Sequence, residues 1–292
     1  MNEILIVGLL SYESPKYWGL CSQCLDFTRS DDTEIFYAIG LDRVSKAKEQ
    51  ELYEVMPLAR GGIMTYDVSI APGKKKETTH QKRVRIGQLY NNIFELMPKS
   101  FRYVFSLDCD IAITKPGWDK MFMDELHDQY VVIGHGYGSR WAEKYQGFPC
   151  LQCSFFDWNK VGTLKFDFRG SGEKLKIRTE QDAKNFGLKV GAKLNRDIGW
   201  ECPKVIREAG FDGKEMGFIP GNHKDSEILT PRCPSDKKIY KKNIKDNIKS
   251  LFEIRWKGES VGTHLTKSTC LEYNKHPISK YWVARVKSCI GK

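Results

Sequence analysis

The sequence predicts an α/β fold built on an open, mostly parallel sheet that is flanked by helices. Two observations support this fold class: short continuous apolar runs typical of strands buried on both faces, and segments of helical periodicity between them. Strand and helix alternate along the first half of the chain, as they do in open α/β sheets. Ligands of such sheets bind beyond the carboxyl ends of the strands, so residues that directly follow a strand are candidates for a functional site.

The elements of the first half are defined by apolar runs and by the residues that stop them. Strands are predicted at 4–10, 34–40, 101–107 and 130–134. A helix is predicted near 20–29, between the first two strands. Apolar side chains recur at helical spacing over 79–97, and Pro98 ends that helix.

The second half of the chain is less regular. Two short strands are predicted at 152–158 and 164–168, followed by an exposed loop at 171–176. A helix over 200–210 ends at Gly210, a natural helix stop. Residues 237–257 place apolar side chains on one helical stripe and lysines elsewhere, which predicts a basic amphipathic helix in the C-terminal region.

The composition excludes several classes of protein. Of the 292 residues, 40% are apolar and 29% are charged, as in globular rather than disordered or fibrous chains. No apolar run is long enough to predict a membrane span, and the first residues lack the basic and apolar regions of a signal peptide. Nine cysteines, an odd number, suit reduced thiols. We therefore expect a cytoplasmic protein with no transmembrane segment.

The net charge of +10 lies entirely in the last part of the chain. Residues 1–230 carry 32 basic and 32 acidic side chains, whereas residues 231–292 carry 15 basic and 5 acidic ones. We therefore divide the chain into a neutral core, 1–230, and a basic C-terminal region, 231–292. A confined positive field favours a polyanionic partner such as nucleic acid or an anionic membrane surface, and a solubilising tail is the alternative.

The central chemical feature is Asp108-Cys109-Asp110, which follows the strand predicted at 101–107. Residues two apart in an extended chain point to the same side, so both carboxylates face one site. Two adjacent carboxylates repel each other unless a cation neutralises them. Mn²⁺ or Mg²⁺ is the natural occupant, because magnesium in particular takes few protein carboxylates and completes its shell with water and substrate phosphates. The alternative is a pair that caps a helix.

The order of the motifs resembles the GT-A class of nucleotide-sugar glycosyltransferases. After the helix at 79–97, the resemblance is carried by Phe105-Ser106-Leu107-Asp108-Cys109-Asp110-Ile111, Arg196-Asp197-Ile198-Gly199-Trp200-Glu201 and Gly262-Thr263-His264-Leu265. It implies a metal-dependent enzyme that moves a sugar from a UDP-sugar to an acceptor hydroxyl. It also implies a donor half at about 1–140, an acceptor half at about 141–230, and a C-terminal region that completes the metal site.

The resemblance implies roles for individual residues. Asp108 is expected near the ribose and the metal, Asp110 as a metal ligand, and His264 as the third protein ligand, since imidazole is acceptable to Mn²⁺ beside oxygens. Asp197 or Glu201 is expected to activate or orient the acceptor hydroxyl. The alternatives are structural: an ordinary hydrogen-bonded histidine at 264, a helix cap at 197 and a dipole-complementing carboxylate at 201.

Further residues are expected to bind the donor. The departing nucleoside diphosphate must be neutralised by cations, for which the candidates are Lys82, Arg83, Arg85 and Lys267. A solvated charged face is the alternative for Lys82 and Arg83. Ser11 and Tyr12, in the loop after the first strand, are candidates for ribose and base contacts, with Tyr12 stacked on a uracil.

The GT-A class contains tailed-phage enzymes that attach glucose or arabinose to hydroxymethylated cytosine in their own DNA. The basic C-terminal region and Lys74-Lys75-Lys76 suit a double-stranded DNA acceptor, because phosphate contacts dominate affinity for DNA. A phage enzyme of this kind acts in the host cytoplasm. Four aromatic residues are candidates for stacking on a flipped base, with core packing as the better interpretation of each: Trp141, Phe155, Phe156 and Trp158.

Two other functions fit parts of the pattern. One is a glycosyltransferase with a carbohydrate or lipid-linked acceptor at a membrane surface, where the basic helix meets anionic lipid. The other is a metal-dependent nucleic-acid-binding protein or nuclease, although the extra paired carboxylates of a nuclease are missing. The sequence makes no prediction of the oligomeric state.

Two further motifs have weaker interpretations. Cys21-x-x-Cys24 and Cys150-x-x-Cys153 lie far apart and lack the turn residues of a zinc site. The segment Gly134-His135-Gly136-Tyr137-Gly138 lacks the Lys-Ser/Thr of a Walker loop. We expect its glycines to let the chain bend close to the donor sugar.

Overall fold

A computed structural model describes residues 1–11, 14–56, 62–70, 77–137, 141–221, 223–229, 250–266 and 273–291. The strands are β1 (Asn2–Leu10), β2 (Thr33–Leu41), β3 (Ile63–Asp67), β4 (Tyr103–Leu107), β5 (Ile111–Ile113), β6 (Tyr130–His135), β7 (Cys153–Asp157), β8 (Lys174–Lys176), β9 (Lys193–Asn195), β10 (Asp212–Pro220), β11 (Leu251–Trp256) and β12 (Glu259–Leu265). The helices are α1 (Pro15–Thr28), α2 (Lys46–Val55), α3 (Thr79–Leu96), α4 (Trp118–Glu125), α5 (Trp158–Val161), α6 (Glu180–Phe186), α7 (Cys202–Glu208) and α8 (Pro277–Cys289). Within these ranges, no helix has both the length and the apolar character needed to cross a bilayer.

Ten strands form one sheet in the order β3-β2-β1-β4-β7-β6-β10-β11-β12-β5. Strands β1 to β4 are mutually parallel, and β6 is parallel to β10. Strands β5, β7 and β11 run in the opposite direction to the others. The predicted α/β class, with a mostly parallel sheet flanked by helices and a helical C-terminus, is confirmed. Strands β8 and β9 form a separate two-stranded sheet.

Strand β1 is buried on both faces and lies between two apolar cores. Its alternate side chains divide between the cores, Ile4 and Ile6 with those of α1 and α8, Leu5 and Val7 with those of α3. The rings of Tyr17 in α1 and Trp282 in α8 lie 5.8 Å apart. The C-terminal helix therefore packs on the same layer as the first helix of the chain.

Helix α3 carries several residues of the candidate site, and its start is set by a capping box. Thr78 Oγ1 accepts a hydrogen bond from the Gln81 backbone amide at 3.2 Å, and Gln81 Oε1 accepts one from the Thr78 amide at 2.9 Å. Such a cap contributes about 1 kcal/mol. The helix ends just before Pro98, as predicted, so the cap and the proline together determine which residues of α3 face the sheet.

Three predicted elements differ from the structure. Residues 164–168 form no strand, and the Phe168 amide donates a hydrogen bond to Asn91 Oδ1 of α3 at 2.9 Å instead of to a neighbouring strand. The predicted loop at 171–176 contains strand β8. The basic helix predicted at 237–257 is wrong at its C-terminal end, where 251–256 form β11, and residues 230–249 lie outside the described residues. Strand β11 pairs with both β10 and β12, and that pairing outweighs the helical spacing of its apolar residues.

The glycines of the 134–138 segment serve close packing within the sheet. A Cβ on Gly134 would lie 1.8 Å from the carbonyl oxygen of Cys153, in the neighbouring strand β7. A Cβ on Gly136 would lie 2.0 Å from the side chain of Glu215 in β10. The backbone contact accounts for Gly134 without a bound sugar, whereas the contact at Gly136 is with the end of a flexible side chain. Gly138 lies outside the described residues.

A buried carboxylate joins α4 to β10 and to the β11–β12 turn. Glu125 accepts hydrogen bonds from Lys214 Nζ at 2.8 Å, Lys257 Nζ at 2.6 Å and Trp256 Nε1 at 3.1 Å. Burial raises the pKa of Glu125, but these hydrogen bonds outweigh burial and lower the pKa from 4.5 to about 2. The ionised form of Glu125 is therefore part of the folded structure.

We expect Glu125→Gln to lower the free energy of unfolding by about 1–2 kcal/mol at pH 7, because it removes an ionised hydrogen-bond acceptor. The effect is no larger because solvent screens the interaction of Glu125 with the exposed Lys257. The folded-state pKa lies below the ordinary value, so this stabilisation is complete above pH 4.5 and is lost as the pH falls toward 2. Urea unfolding at pH 7 and pH 3.5 measures the difference, with Glu3→Gln, at an exposed position, as the control. A difference that does not shrink at pH 3.5 contradicts the account.

Candidate active site

The candidate site is a cavity of about 410 Å³ at the carboxyl ends of β1, β2, β4 and β6. This is the edge at which an open α/β sheet binds its ligands. Its polar and charged lining residues are Ser11, Asp42, Lys82, Arg85, Tyr90, Asp108, Cys109, Asp110, His135, Tyr137, Lys144, Cys150, Gln152, Asp197, His264 and Thr266. Both aspartates predicted as metal ligands and the predicted histidine therefore line one cavity.

Asp108, Asp110 and His264 form a compact triad of metal-donor side chains, with one ligand atom from each lying within 4.8 Å of the other two. Strand pairing creates this proximity. Strand β5 follows the two aspartates and pairs antiparallel with β12, so that His264 lies opposite Ile111. The Leu265 amide also donates a hydrogen bond to the Asp110 carbonyl oxygen at 2.9 Å.

Two thiols of the sequence motif Cys21-x-x-Cys24 help to fix β5. Cys21 Sγ donates to the Ile111 carbonyl oxygen at 2.8 Å, and Cys24 Sγ donates to that of Ile113 at 3.0 Å. Burial raises the pKa of both thiols, which keeps them protonated as donors. Both cysteines therefore support the strand next to the triad. Among the described residues, the triad is the one cluster of donor side chains with metal-binding geometry.

The chemistry of the triad fits a divalent cation. Asp110 Oδ1 and His264 Nδ1 are buried and have no hydrogen-bond partner, and His264 Nε2 lies 3.4 Å from Asp110 Oδ1. Buried polar atoms without partners are costly, and a cation held by these groups removes that cost. Two carboxylates with one imidazole suit Mn²⁺, and the oxygens also suit Mg²⁺. Tyr90 Oη donates to Asp108 Oδ1 at 2.9 Å and so orients that carboxylate.

Asp197 lies on the cavity wall between two cations. Arg83 Nε lies 3.2 Å from Asp197 Oδ1, and Lys144 Nζ contacts Oδ2. Lys144 is buried and also lies 4.6 Å from the centre of the Tyr137 ring. Burial and the neighbouring Arg83 lower the pKa of Lys144 from 10.5 to about 8. Lys144 and Arg83 together hold the Asp197 carboxylate in place on the cavity wall.

Glu201, the alternative to Asp197, does not line the cavity. It is the N-cap residue of α7, where its side chain makes no capping hydrogen bond. Burial and the neighbouring Asp167 raise the pKa of Glu201. The structure thus brings one of the two predicted acceptor-side carboxylates to the cavity and leaves the other outside it.

The opposite end of the cavity contains Ser11, Asp42 and Arg85. Ser11 Oγ donates to Asp42 Oδ2 at 2.8 Å, and Arg85 binds the same carboxylate. Arg85 Nε also lies 2.9 Å from Glu77 Oε1, so the buried guanidinium is held by two carboxylates. Of the predicted donor-binding residues, Ser11, Lys82, Arg85 and Asp108 line the cavity, whereas Arg83 does not. Tyr12 and Lys267, like Lys74-Lys75-Lys76, lie outside the described residues.

Aromatic rings form the wall beside the triad. His135 stacks on Phe218 with ring centroids 4.2 Å apart, and Trp141 stacks on Phe218 at 5.9 Å. Burial, with the neighbouring His264, lowers the pKa of His135 to about 3, so this ring is neutral at physiological pH. Trp141 lines the cavity. The other aromatic residues considered for base stacking are buried in the core: Phe155, Phe156 and Trp158.

The cavity contains residues that sequence reasoning missed. Asp42 directly follows β2, as Asp108 follows β4, so the same strand-end rule would have identified it. Tyr90 and Lys144 had no such signal. Tyr90 lies in the middle of the helix predicted at 79–97 and follows no strand. Lys144 reaches the cavity from an irregular segment after residue 141.

The fold resembles solved glycosyltransferase structures. The galactosyltransferase LgtC, in complex with donor and acceptor sugar analogues, is 12% identical over 98% of this chain and 95% of its own, with a TM-score of 0.49. The mannosyltransferase PcManGT from Pyrobaculum calidifontis, in complex with GDP-Man and Mn²⁺, is 10% identical over 70% of this chain and 60% of its own, with a TM-score of 0.37. Mouse xyloside xylosyltransferase 1 is 9% identical over 73% of this chain and 78% of its own, with a TM-score of 0.37.

No protein-family model matches the chain, and no curated protein matches it. The three structural similarities are too distant to assign an activity. The chemistry of the site therefore rests on the residues of this chain.

Proposed function

We propose that the protein is a metal-dependent glycosyltransferase that moves a sugar from a UDP-sugar to an acceptor hydroxyl. The observation that carries the proposal is the triad of Asp108, Asp110 and His264 on the cavity wall, in which Asp110 Oδ1 and His264 Nδ1 are buried without a hydrogen-bond partner. A cavity of about 410 Å³ is of the size that binds a small ligand such as a nucleotide sugar.

The triad is the proposed metal site, and Mn²⁺ or Mg²⁺ is the proposed ion. When bound there, the ion supplies positive charge that neutralises the departing nucleoside diphosphate. Asp110 and His264 would hold it directly, and Asp108 would contact both the ion and the donor ribose. Tyr90 orients the Asp108 carboxylate by its hydrogen bond to Oδ1.

The donor nucleoside is proposed to bind at the end of the cavity formed by Ser11, Asp42 and Arg85. A carboxylate at the end of the second strand is well placed to accept hydrogen bonds from ribose hydroxyls in doubly wound folds. Arg85 orients Asp42 and adds positive charge at this end. Tyr12 and Lys267 are proposed to complete the base and diphosphate contacts.

The acceptor is proposed to bind at the other end of the cavity, beside Asp197 and Trp141. The bond from the anomeric carbon to the diphosphate oxygen breaks, and the diphosphate leaves with that electron pair. A bond from the anomeric carbon to the acceptor oxygen forms, and the hydroxyl proton passes to solvent water. Both oxygens of Asp197 contact cations, which hold the carboxylate in a fixed orientation. We therefore assign Asp197 the role of orienting the acceptor hydroxyl, and assign no such role to Glu201.

For the acceptor itself we propose 5-hydroxymethylcytosine in double-stranded phage DNA, with glucose or arabinose as the transferred sugar. The support is the excess of 10 basic side chains in residues 231–292, which follow the neutral core. The proposal of a phage DNA glycosyltransferase includes three further points. They are the division of the chain at residue 230, the donor and acceptor halves of the core, and a location in the host cytoplasm.

A transfer assay tests this function. The protein is incubated with Mn²⁺ and a panel of UDP-sugars, together with DNA that contains either hydroxymethylcytosine or ordinary cytosine. Mass spectrometry of the digested nucleosides is expected to show one added sugar on hydroxymethylcytosine only. If no nucleoside is modified with any sugar, the proposal of a DNA acceptor is wrong. If DNA fragments form without a nucleotide sugar, the protein is a nuclease and not a transferase.

A further inference from the structure

The small sheet of β8 and β9 holds two lysines directly against each other. Lys176 and Lys193 are paired in the antiparallel register, and both side chains are exposed. Directly opposite residues have Cβ atoms about 5 Å apart, at which distance like charges destabilise the pair of strands. Neither lysine forms an ion pair with any residue that the structure describes. We call β8, β9 and the residues between them, which include α6, the hairpin. The hairpin therefore contains two like charges whose repulsion opposes its folding.

The neighbouring side chains extend this positive surface. Leu175 and Leu194, paired with each other between the charged positions, pack into the core, so the lysines are left on the solvent side. Residues 174–193 contain six basic and two acidic side chains. We call the exposed basic residues without an ion pair in the described structure the hairpin basic surface: Lys176, Arg178, Lys184, Lys189 and Lys193.

The hairpin basic surface is joined to the rim of the cavity. Strand β9 ends at Asn195, two residues before Asp197. Arg83 binds both residues, with Nη1 3.0 Å from Asn195 Oδ1 and Nε 3.2 Å from Asp197 Oδ1. Four residues of chain span at most about 14 Å, so Lys193 lies within that distance of the acceptor end of the cavity. A ligand held on this surface therefore reaches the cavity.

We propose that the hairpin basic surface binds the phosphate backbone of a nucleic-acid acceptor and holds the nucleotide to be modified at the cavity. An antiparallel strand advances about 3.4 Å per residue, which is also the axial spacing of phosphates along one strand of B-DNA. Lys176 and Lys193 lie opposite each other on the two strands, so their flexible side chains can contact neighbouring phosphates together. This inference rests on the proposed function and adds the surface that holds its DNA acceptor, but the binding itself requires neither donor nor metal.

The composition of the hairpin distinguishes nucleic acid from a membrane surface. Proteins that lie on anionic membranes combine basic residues with an apolar face that enters the lipid. Within residues 174–195, Val190 is the one exposed large apolar side chain. A basic surface without an apolar face favours a soluble polyanion over a membrane as its binding partner. Nucleic acid is such a polyanion, and it also carries the acceptor proposed for the nearby sugar-transfer site.

DNA binding without donor or metal tests the inference. The double variant Lys176→Gln/Lys193→Gln is compared with the unaltered protein by fluorescence anisotropy with a labelled duplex over a range of salt concentrations. We expect affinity at 0.1 M salt to fall about tenfold or more, and the slope of log affinity against log salt to decrease by about 2, one for each lost phosphate contact. The melting temperature is expected to stay the same or rise, because the repulsive pair is removed.

The matched control is Lys46→Gln/Lys165→Gln, which removes two exposed lysines outside the hairpin and should leave the salt slope nearly unchanged. Equal affinity of the hairpin variant and the parent overturns the inference. Binding to phosphatidylserine vesicles but not to DNA also overturns it and assigns the surface to a membrane. Because the binding assay contains no nucleotide sugar, neither result contradicts the proposed transferase activity. In the same way, a failure to detect transferase activity would not contradict a positive binding result.

Discussion

Replacing Asp110 by asparagine is expected to lower metal-dependent turnover about 10³-fold or more, equivalent to about 4 kcal/mol of transition-state stabilisation. The change keeps the size of the side chain and removes the charge that, with Asp108 and His264, can hold a divalent cation. Steady-state release of nucleoside diphosphate in the presence of Mn²⁺ measures the loss. The exposed Asp124→Asn on α4 removes the same charge outside the cavity and is expected to leave turnover unchanged.

Thermal unfolding separates loss of the metal site from loss of the fold. At Mn²⁺ concentrations about 100 times the dissociation constant, binding stabilises the parent by about 2.7 kcal/mol, or about 5 °C or more in melting temperature for a chain of this length. Asp110→Asn is expected to abolish that shift. Its melting temperature without metal should be equal or higher, since the repulsion between Asp108 and Asp110 is gone. Retention of both the Mn²⁺ shift and turnover would exclude Asp110 from the metal site.

The second large effect is expected at Asp197 and separates the two predicted acceptor-side carboxylates. Asp197→Asn should lower turnover about 10²-fold or more, because it removes a charge that orients the acceptor and leaves Lys144 and Arg83 without their shared partner. Glu201→Gln should change turnover less than threefold, since Glu201 does not line the cavity. Initial rates at saturating donor and varied acceptor measure both variants.

The order of these two effects is the decisive result. A larger loss for Glu201→Gln than for Asp197→Asn would transfer the acceptor role to Glu201. Circular dichroism and melting temperatures check that Asp197→Asn still folds, because breaking a largely buried ion pair also lowers stability. Lys144→Gln provides a further comparison, since it releases Asp197 from one cation while the carboxylate stays in place.

The site residues at strand ends could be predicted because the local sequence alone shows where each strand ends. A continuous apolar run predicts a parallel strand, and its carboxyl end predicts the site, which is how Asp108 and Asp110 were identified. Asp42 obeys the same rule and was overlooked. Helix α3 was predicted almost to the residue because Pro98 ends it at a defined place.

Residues brought together by distant pairing were not predictable from local patterns. His264 reaches Asp110 through the pairing of β12 with β5, which nothing in the spacing of either segment indicates, so only the family resemblance suggested it. Strand β11 shows the same limit. Leu251, Phe252 and Ile254 fit a helical stripe as well as a strand, and two neighbouring strands decide the outcome. Lys144 lies in an irregular segment with no period at all.

The most direct test of the central claim is whether the triad supports Mn²⁺-dependent cleavage of a nucleotide sugar. The parent protein and Asp110→Asn are incubated with a panel of UDP-sugars and hydroxymethylated DNA, with Mn²⁺ or with a chelator, and released UDP is quantified. We predict UDP release from at least one sugar by the parent with Mn²⁺, and none with the chelator or in the variant. Equal release by parent and variant, or no release by the parent from any sugar, would contradict the assignment of this site to sugar transfer.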